Sequence, residues 1–247
     1  MTRLAFPPPY VPLNGLDPAL RDAGFALVSA SDVQRWLHTD AEQLAALHAS
    51  WDDLPSDAYL MDGGRYRRRR HSCFVVDGGV VQQVPHRAHW QPLEYNALHG
   101  GMQRWFEPMD PAVLATPLWQ RLLGTVGQAV SALRGERPWF VEAHPFRIDT
   151  TDGIGRPTPE GAHRDGVDLV AVFMLGRHRI KGGESRVFDA HGPSGQRFTL
   201  TEPWSLLLLD DERVIHESTP IQPVLPGELG WRDTLVLTYR RDGFQGG

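Results

Sequence analysis

His163 and Asp165 stand two residues apart in EGAHRDGVDLVAVFML (160–175), directly before a long apolar run. Side chains alternate in direction along an extended chain, so an imidazole and a carboxylate at this spacing reach one ion from the same side. A His-x-Asp pair alone is a weak signal. A second imidazole, His216, follows in LLLLDDERVIHESTPI, after the apolar run 206–209 and a turn at Asp210-Asp211. Two imidazoles and one carboxylate from separate strands form the ligand face that holds non-haem Fe(II) and leaves three positions open. Open positions serve redox chemistry with O2 and a co-substrate; a purely structural site would be closed.

The stretch GWRDTLVLTYRR (230–241) adds the group such a co-substrate needs. On a strand, Arg232 and Thr234 share a face with Val236 and Thr238. A guanidinium fork beside a hydroxyl holds a carboxylate by parallel charge-assisted hydrogen bonds, which suits a keto acid that chelates a metal at its other end. Arg240 and Arg241 offer the same group nearby. His99 and His144 are candidates for lining a pocket. His86 and His89, in an extended and proline-broken stretch, read as exposed or structural. The run from Arg65 to Arg70 reads as a solvated strand edge from which one arginine could reach a pocket. Asp168 points away from Asp165 if the strand is unbroken, although Gly166 could break that register.

The elements that must position these groups change character along the chain. Capping boxes at Ser31/Gln34 and Asp40/Gln43 predict two helices in the first third. Thr116-Pro117 opens a third, with Leu118, Leu122, Val126 and Val130 as its core stripe and Gly135 as its stop. Strand-like pieces lie at 72–76 and 80–84. Beyond residue 137, short strands are predicted near 139–149, 167–175, 184–188, 198–200, 205–209, 213–217 and 234–239, punctuated by Gly and Pro. In 169–175 both alternating faces are apolar, as expected for a strand covered on both sides. The prediction is one mainly β domain over 1–247: a helical part to about 135 buttressing a double-stranded β-helix, or jelly roll, over about 137–241. The loop 150–159, just before the ligands, is placed to act as a lid.

Composition sets the outer limits. The 247 residues are 41% hydrophobic and 22% charged, ordinary for a globular chain. A net charge of −5 disfavours a general nucleic-acid binder, which would be basic. Cys73 is the only cysteine, so no internal disulfide is possible. MTRLAFPPPYVPL holds no apolar run long enough for a signal peptide or membrane span, which makes a cytoplasmic location the expectation.

The His-x-Asp, the distant His and the Arg-x-Thr, in that order, resemble the Fe(II)/2-oxoglutarate-dependent dioxygenase superfamily. More narrowly, YNALHGGMQRWF (95–106), PTPEGAHRDGVDLV (157–170) and RDTLVLTYR (232–240) resemble the bacterial group containing the free L-isoleucine 4-hydroxylase. The resemblance implies Fe(II) on His163, Asp165 and His216, with 2-oxoglutarate and O2 as co-substrates. It makes Arg232 the 2-oxoglutarate anchor, with Thr234 on the same strand face, and His144, on the strand entering the site, is a candidate contact to 2-oxoglutarate or substrate. It implies hydroxylation of a small molecule, a free aliphatic or thioether L-amino acid, for which Arg147 and Glu160 are the candidate partners of carboxylate and amine. A cupin-type metalloenzyme without a keto acid and a non-catalytic ligand-binding jelly roll remain the alternatives.

Overall fold

The computed structural model describes residues 6–246. The leader reading of the first thirteen residues rests in part on residues 1–5, which lie outside these. Five helices are present among the described residues: α1 (Leu16–Ala23), α2 (Ala30–Trp36), α3 (Ala41–His48), α4 (Pro111–Leu114) and α5 (Pro117–Arg134). The strands in the first half are β1 (Phe25–Val28), β2 (Arg67–Arg69), β3 (Ser72–Asp77) and β4 (Val80–Gln83). Those in the second half are β5 (Trp139–Asp149), β6 (Leu169–His178), β7 (Ile180–Gly182), β8 (Ser185–Asp189), β9 (Gly195–Phe198), β10 (Ser205–Asp210), β11 (Val214–Ser218), β12 (Ile221–Pro223) and β13 (Trp231–Arg240). None of the helices among the described residues is long and apolar enough to cross a membrane.

The major sheet runs β1-β10-β6-β13-β5-β3-β4, with β2 also paired to β5. A three-stranded sheet, β11-β8-β9, and the pair β12-β7 face it. All these pairings are antiparallel, and β13 is paired along its length with both β5 and β6. Four strands of the major sheet come from the first half, so that half is not purely a helical buttress. It supplies one edge and part of the wall.

Period two divides the major sheet cleanly. Ala171, Phe173, Val141, Ala143, Leu235, Leu237 and Tyr239 project outward into one core shared with the helices. Val170 and Met174 project inward into a second core with Leu207, Val187 and Phe198. Strand β6 is therefore apolar on both faces because both are covered. Helix α5 seals the outer face. Thr116 accepts from the Trp119 N–H, Pro117 sits in the first turn, and Gly135 ends the helix with its N–H on the Ser131 carbonyl. Tyr239 Oη donates to the Leu123 carbonyl at 2.8 Å, and Trp139 Nε1 donates to Ser131 Oγ at 2.8 Å. These bonds satisfy polar atoms that the outer core would otherwise strand.

Several boundaries differ from expectation, each for a local reason. Helix α2 is capped by Ser29, whose extended backbone lets its side chain accept from the Asp32 N–H; Ser31 already lies within the first turn. At the expected Asp40/Gln43 box the cap forms, with Asp40 accepting from the Gln43 N–H at 2.8 Å, but the Gln43 amide donates to the Asp40 carboxylate at 3.2 Å and does not return to the Asp40 backbone N–H. The strand predicted at 167–175 starts at Leu169 and continues to His178, because Gly166, at φ +75°, turns the chain before it. The strand expected at 198–200 is β9 (Gly195–Phe198), three residues earlier in its start and mostly exposed. Polar edge strands such as β9, and the arginine strand β2, carry no apolar pattern to reveal them.

The two serines give a direct test. Ser29→Ala should lower the stability by about 1 kcal/mol, seen as a lower urea midpoint at unchanged slope. Ser31→Ala should leave the midpoint within a few tenths of a kcal/mol of the native value.

Candidate metal centre and cavity

His163 and Asp165 do not lie on a strand proper. They occupy the segment that approaches β6, and a separate set of bonds holds that segment in place. His163 pairs with His216 of β11 as an isolated bridge, with N–H···O bonds of 3.0 and 2.9 Å running both ways. The carboxylate of Asp211, wholly buried, accepts from three successive backbone N–H groups: Asp165 at 3.0 Å, Gly166 at 2.7 Å and Val167 at 3.1 Å. Gly166 is needed for this turn: its φ is positive, and a Cβ there would lie 2.4 Å from the Tyr95 ring. Asp211 lies in the connection between β10 and β11, five residues before His216, so the segment that leads to the third candidate ligand also grips the turn that carries the first two.

The result is convergence. His163 Nε2 lies 3.8 Å from Asp165 Oδ1, and His216 Nε2 lies 3.7 Å from Asp165 Oδ2. The three ligand atoms all fall within 4.8 Å of one another. His163 Nδ1 faces the Gly161 carbonyl at 2.9 Å, a contact that places the proton on Nδ1 and leaves the Nε2 lone pair toward Asp165. Gln91 Nε2 donates to Asp165 Oδ1 at 3.3 Å. Burial pushes the Asp165 carboxyl above its usual range and, with His163 beside it, pushes His216 down to about 3. Burial also opposes the charge on His163, but Asp165 and Glu160 outweigh it and raise its pKa. A carboxylate and two imidazole lone pairs desolvated around one point fit a divalent cation, whose charge offsets that cost.

The three ligands open on a cavity under the major sheet, into which β13 sends Arg232, Thr234, Val236 and Thr238. The Arg232 guanidinium is 5% exposed and makes no hydrogen bond or ion pair among the described residues, and its Nε is buried without a partner. Burial, and Arg177 nearby, push its pKa down to about 9. Arg240 is bonded to the Gly243 carbonyl and Arg241 is paired with Asp168 and Glu212, so neither competes for the cavity. Asp168 thus points away from Asp165 as expected. His144 and Glu160 line the cavity, whereas His99 is buried beside it.

Arg147 is placed elsewhere. It lies between Phe146 and Ile148, which face the cavity, and so projects from the other side of β5. There its Nε and Nη2 bind Asp233 at 2.8 and 2.7 Å, and its guanidinium lies over the Trp231 ring. The arginine run also departs from expectation. Arg68 and Arg70 are outward, but Arg67 and Arg69 of β2 are buried and line the cavity. Arg67 Nε binds Asp57 at 2.7 Å, and Arg69 is sandwiched between the rings of Phe106 and Phe146. The loop 150–159 is a loop, with Pro157 and Thr158 at the cavity and Gly155 bridged to Ile221.

A second cluster forms the far wall. His71, His89, Glu142 and His144 are all buried, with one donor atom from each within 4.8 Å of the others. His71 Nε2 is 3.3 Å from Glu142 Oε1, and His89 Nδ1 is 3.1 Å from Oε2. This set also has the donors of a metal site. However, Arg69 Nη2 donates to His144 Nδ1 at 2.6 Å, which leaves the proton of this imidazole on Nε2, the atom that would have to bind a metal. His89 is structural in the sense expected, though buried; His71 and Glu142 gave no sequence signal.

A profile of the 2OG-Fe dioxygenase family matches residues 48–238. The chain belongs to this family. The dioxygenase is similar to a solved bsmA homolog from Methylobium petroleophilum PM1, with 50% identity over 96% of both chains and a TM-score of 0.90. Its fold is also that of IDO from Bacillus thuringiensis, at 17% identity, 94% and 97% coverage and a TM-score of 0.75. TqaL, an Fe(II)/α-ketoglutarate-dependent dioxygenase, shares the fold at 20% identity, 94% and 88% coverage and a TM-score of 0.72. A search of the curated proteins finds no match. Membership brings Fe(II), 2-oxoglutarate and O2 as the cofactor set of the dioxygenase, and the jelly-roll expectation holds.

The grip of Asp211 on the ligand turn predicts a measurable loss. Asp211→Asn, which replaces one of the two accepting oxygens by an N–H2 facing a backbone N–H, should weaken Fe(II) or Co(II) binding by about 10- to 100-fold. Competitive metal titration reads this, and unchanged affinity would remove Asp211 from the support of the site.

Proposed function

We propose that this dioxygenase holds iron through His163, Asp165 and His216, anchors 2-oxoglutarate through Arg232 and Thr234, and hydroxylates a free aliphatic or thioether L-amino acid. The reading takes the chain as one catalytic domain acting in the cytoplasm, with neither nucleic acid nor membrane as partner. The observation that carries it is Arg232. A buried guanidinium with no acidic partner, opening on the cavity of the three ligands, calls for an anion of the ligand itself. The Thr234 hydroxyl lies on the same wall, two residues along β13.

Bound Fe(II), with 2-oxoglutarate and O2, supplies the oxidising power that an unactivated C–H bond requires. The chain binds, orients and excludes water. The Gly161 carbonyl keeps the His163 proton on Nδ1. Gln91 fixes one oxygen of Asp165 and leaves the other toward His216. Val172, Val236, Phe146 and Leu207 give the wall an apolar part beside its charged groups, which strengthens the charge interactions near it. Two things support the amino-acid assignment: the resemblance of 157–170 to the isoleucine hydroxylase group, and charges of both signs on the cavity wall. Binding energy from a carboxylate and an amine remote from the reacting carbon would position the side chain for oxidation.

Succinate release from 2-oxoglutarate, measured with each of the twenty amino acids and with mass detection of one added oxygen, tests the reading. Isoleucine, leucine or methionine should stimulate release; their D-forms, amides and N-acetyl derivatives should not. Arg232→Lys should raise the 2-oxoglutarate KM at least about tenfold, because an ammonium lacks the fork, while Arg240→Lys and Arg241→Lys should change it little. Oxidation of only a peptide, nucleoside or lipid would end the amino-acid assignment and leave the dioxygenase standing.

A further inference from the structure

Arg69 and Glu142 carry opposite full charges in the cavity wall, and neither is ion-paired. Among the described residues, the only hydrogen-bond partner of the Arg69 guanidinium is the neutral imidazole of His144, and its Nε is buried without a partner. Arg67 differs in this respect, being neutralised by Asp57. Arg104 also has only a neutral partner, Gln91 at 2.9 Å, and a buried Nε without one, but it has no bond to His144, which faces Glu142. Glu142 touches His71, His89 and Cys73, with His144 Nε2 facing it at 3.9 Å. Burial pushes His71 and His144 down and His89 to about 3, so the groups around this carboxylate are uncharged. His144 therefore stands between a cation and an anion as a polar spacer: it accepts from Arg69 on Nδ1 and presents Nε2–H toward Glu142. Two desolvated charges held apart in this way are costly unless a ligand completes them.

From this geometry we infer that Arg69 and Glu142, set on either side of His144, form the subsite for the head group of the substrate, with the guanidinium taking an α-carboxylate and Glu142 taking an α-ammonium. The inference rests on the amino-acid reading above and gives it residues. The ligand class is a small zwitterion whose two charges are separated by one carbon. Its carboxylate meets a fork already immobilised between Phe106 and Phe146, and its ammonium meets an acceptor oriented by imidazole N–H groups. Gln91, which holds both Arg104 and the ligand Asp165, links this wall to the metal centre, so a side chain projecting from the head group faces the three ligands. A divalent cation suits the cluster less well, because the adjacent guanidinium repels it and holds the His144 proton on Nε2.

Calorimetry on anaerobic protein loaded with Fe(II) and 2-oxoglutarate tests this with three probes: L-leucine, isocaproate, which lacks the amine, and isoamylamine, which lacks the carboxylate. The wild-type chain should bind leucine at least about 10-fold more tightly than either analogue. Glu142→Gln should weaken leucine by about 10- to 100-fold and leave isocaproate unchanged. Arg69→Gln should weaken leucine to a similar degree and leave isoamylamine unchanged. Equal weakening of leucine and the matching analogue, or no weakening, overturns the subsite. So does a wild-type chain that binds isocaproate as tightly as leucine, a result that needs no variant to fold. If wild type binds none of leucine, isoleucine and methionine, the amino-acid reading fails and the inference with it; if it binds them and both variants bind them equally well, only the inference fails. Metal content read on the same samples should be one Fe(II) per chain, and a second ion lost in Glu142→Gln would make the cluster a metal site instead.

Discussion

The candidate metal centre depends on one buried carboxylate that is not itself among its ligands. Asp211 collects the N–H groups of Asp165, Gly166 and Val167 and so fixes a turn that no strand pairing reaches. Those three bonds are part-buried, and leaving the donors unpaired would cost up to about 1–3 kcal/mol each. The turn has one low-energy shape, and in it the Asp165 carboxylate faces both imidazoles. Because Asp211 leads into β11, which carries His216, the three candidate ligands are set relative to one short connection between the two sheets, and the reciprocal His163–His216 bridge closes the arrangement.

The jelly roll then solves a problem of polarity. A cavity that must hold a cation, a dicarboxylate and a small polar substrate cannot have an oily wall, yet it has to stay dry. The major sheet meets both demands by alternation. Strands β5 and β13 turn Val141, Ala143, Leu235 and Leu237 toward the helices and turn Glu142, His144, Arg232 and Thr234 toward the cavity. The outer core, sealed by α5, carries the stability. The inner face is thereby free to hold charges whose partners arrive with the ligands, at a cost the outer face can offset.

Part of this was legible in the residues because it follows period two. Arg232 and Thr234, two apart on β13, share the cavity face, and β6 is apolar on both faces. His163 and Asp165 do converge, but on a turn held by Asp211 and not by strand alternation. Helix α5 was legible because Thr116, Pro117 and Gly135 are local signals. The missed residues share a different character. Arg67, Arg69 and Glu142 alternate with residues that face the other way, a pattern that ordinarily marks a solvent face. Only closure of the second sheet over that face makes it an interior, and closure is not a local property. Asp211 shows as a turn residue and nothing more, since its three partners lie over forty positions away. Arg147 illustrates the converse error: it has the right chemistry but the wrong parity, one position from the residues that face the cavity.

Two clusters among the described residues have the donors for a metal ion, and iron is proposed at only one. Crystals grown anaerobically with Fe(II) and measured at the iron absorption edge decide between them. The account predicts a single anomalous peak bounded by His163 Nε2, the Asp165 carboxylate and His216 Nε2, with none beyond. A peak among His71, His89, Glu142 and His144 would contradict it.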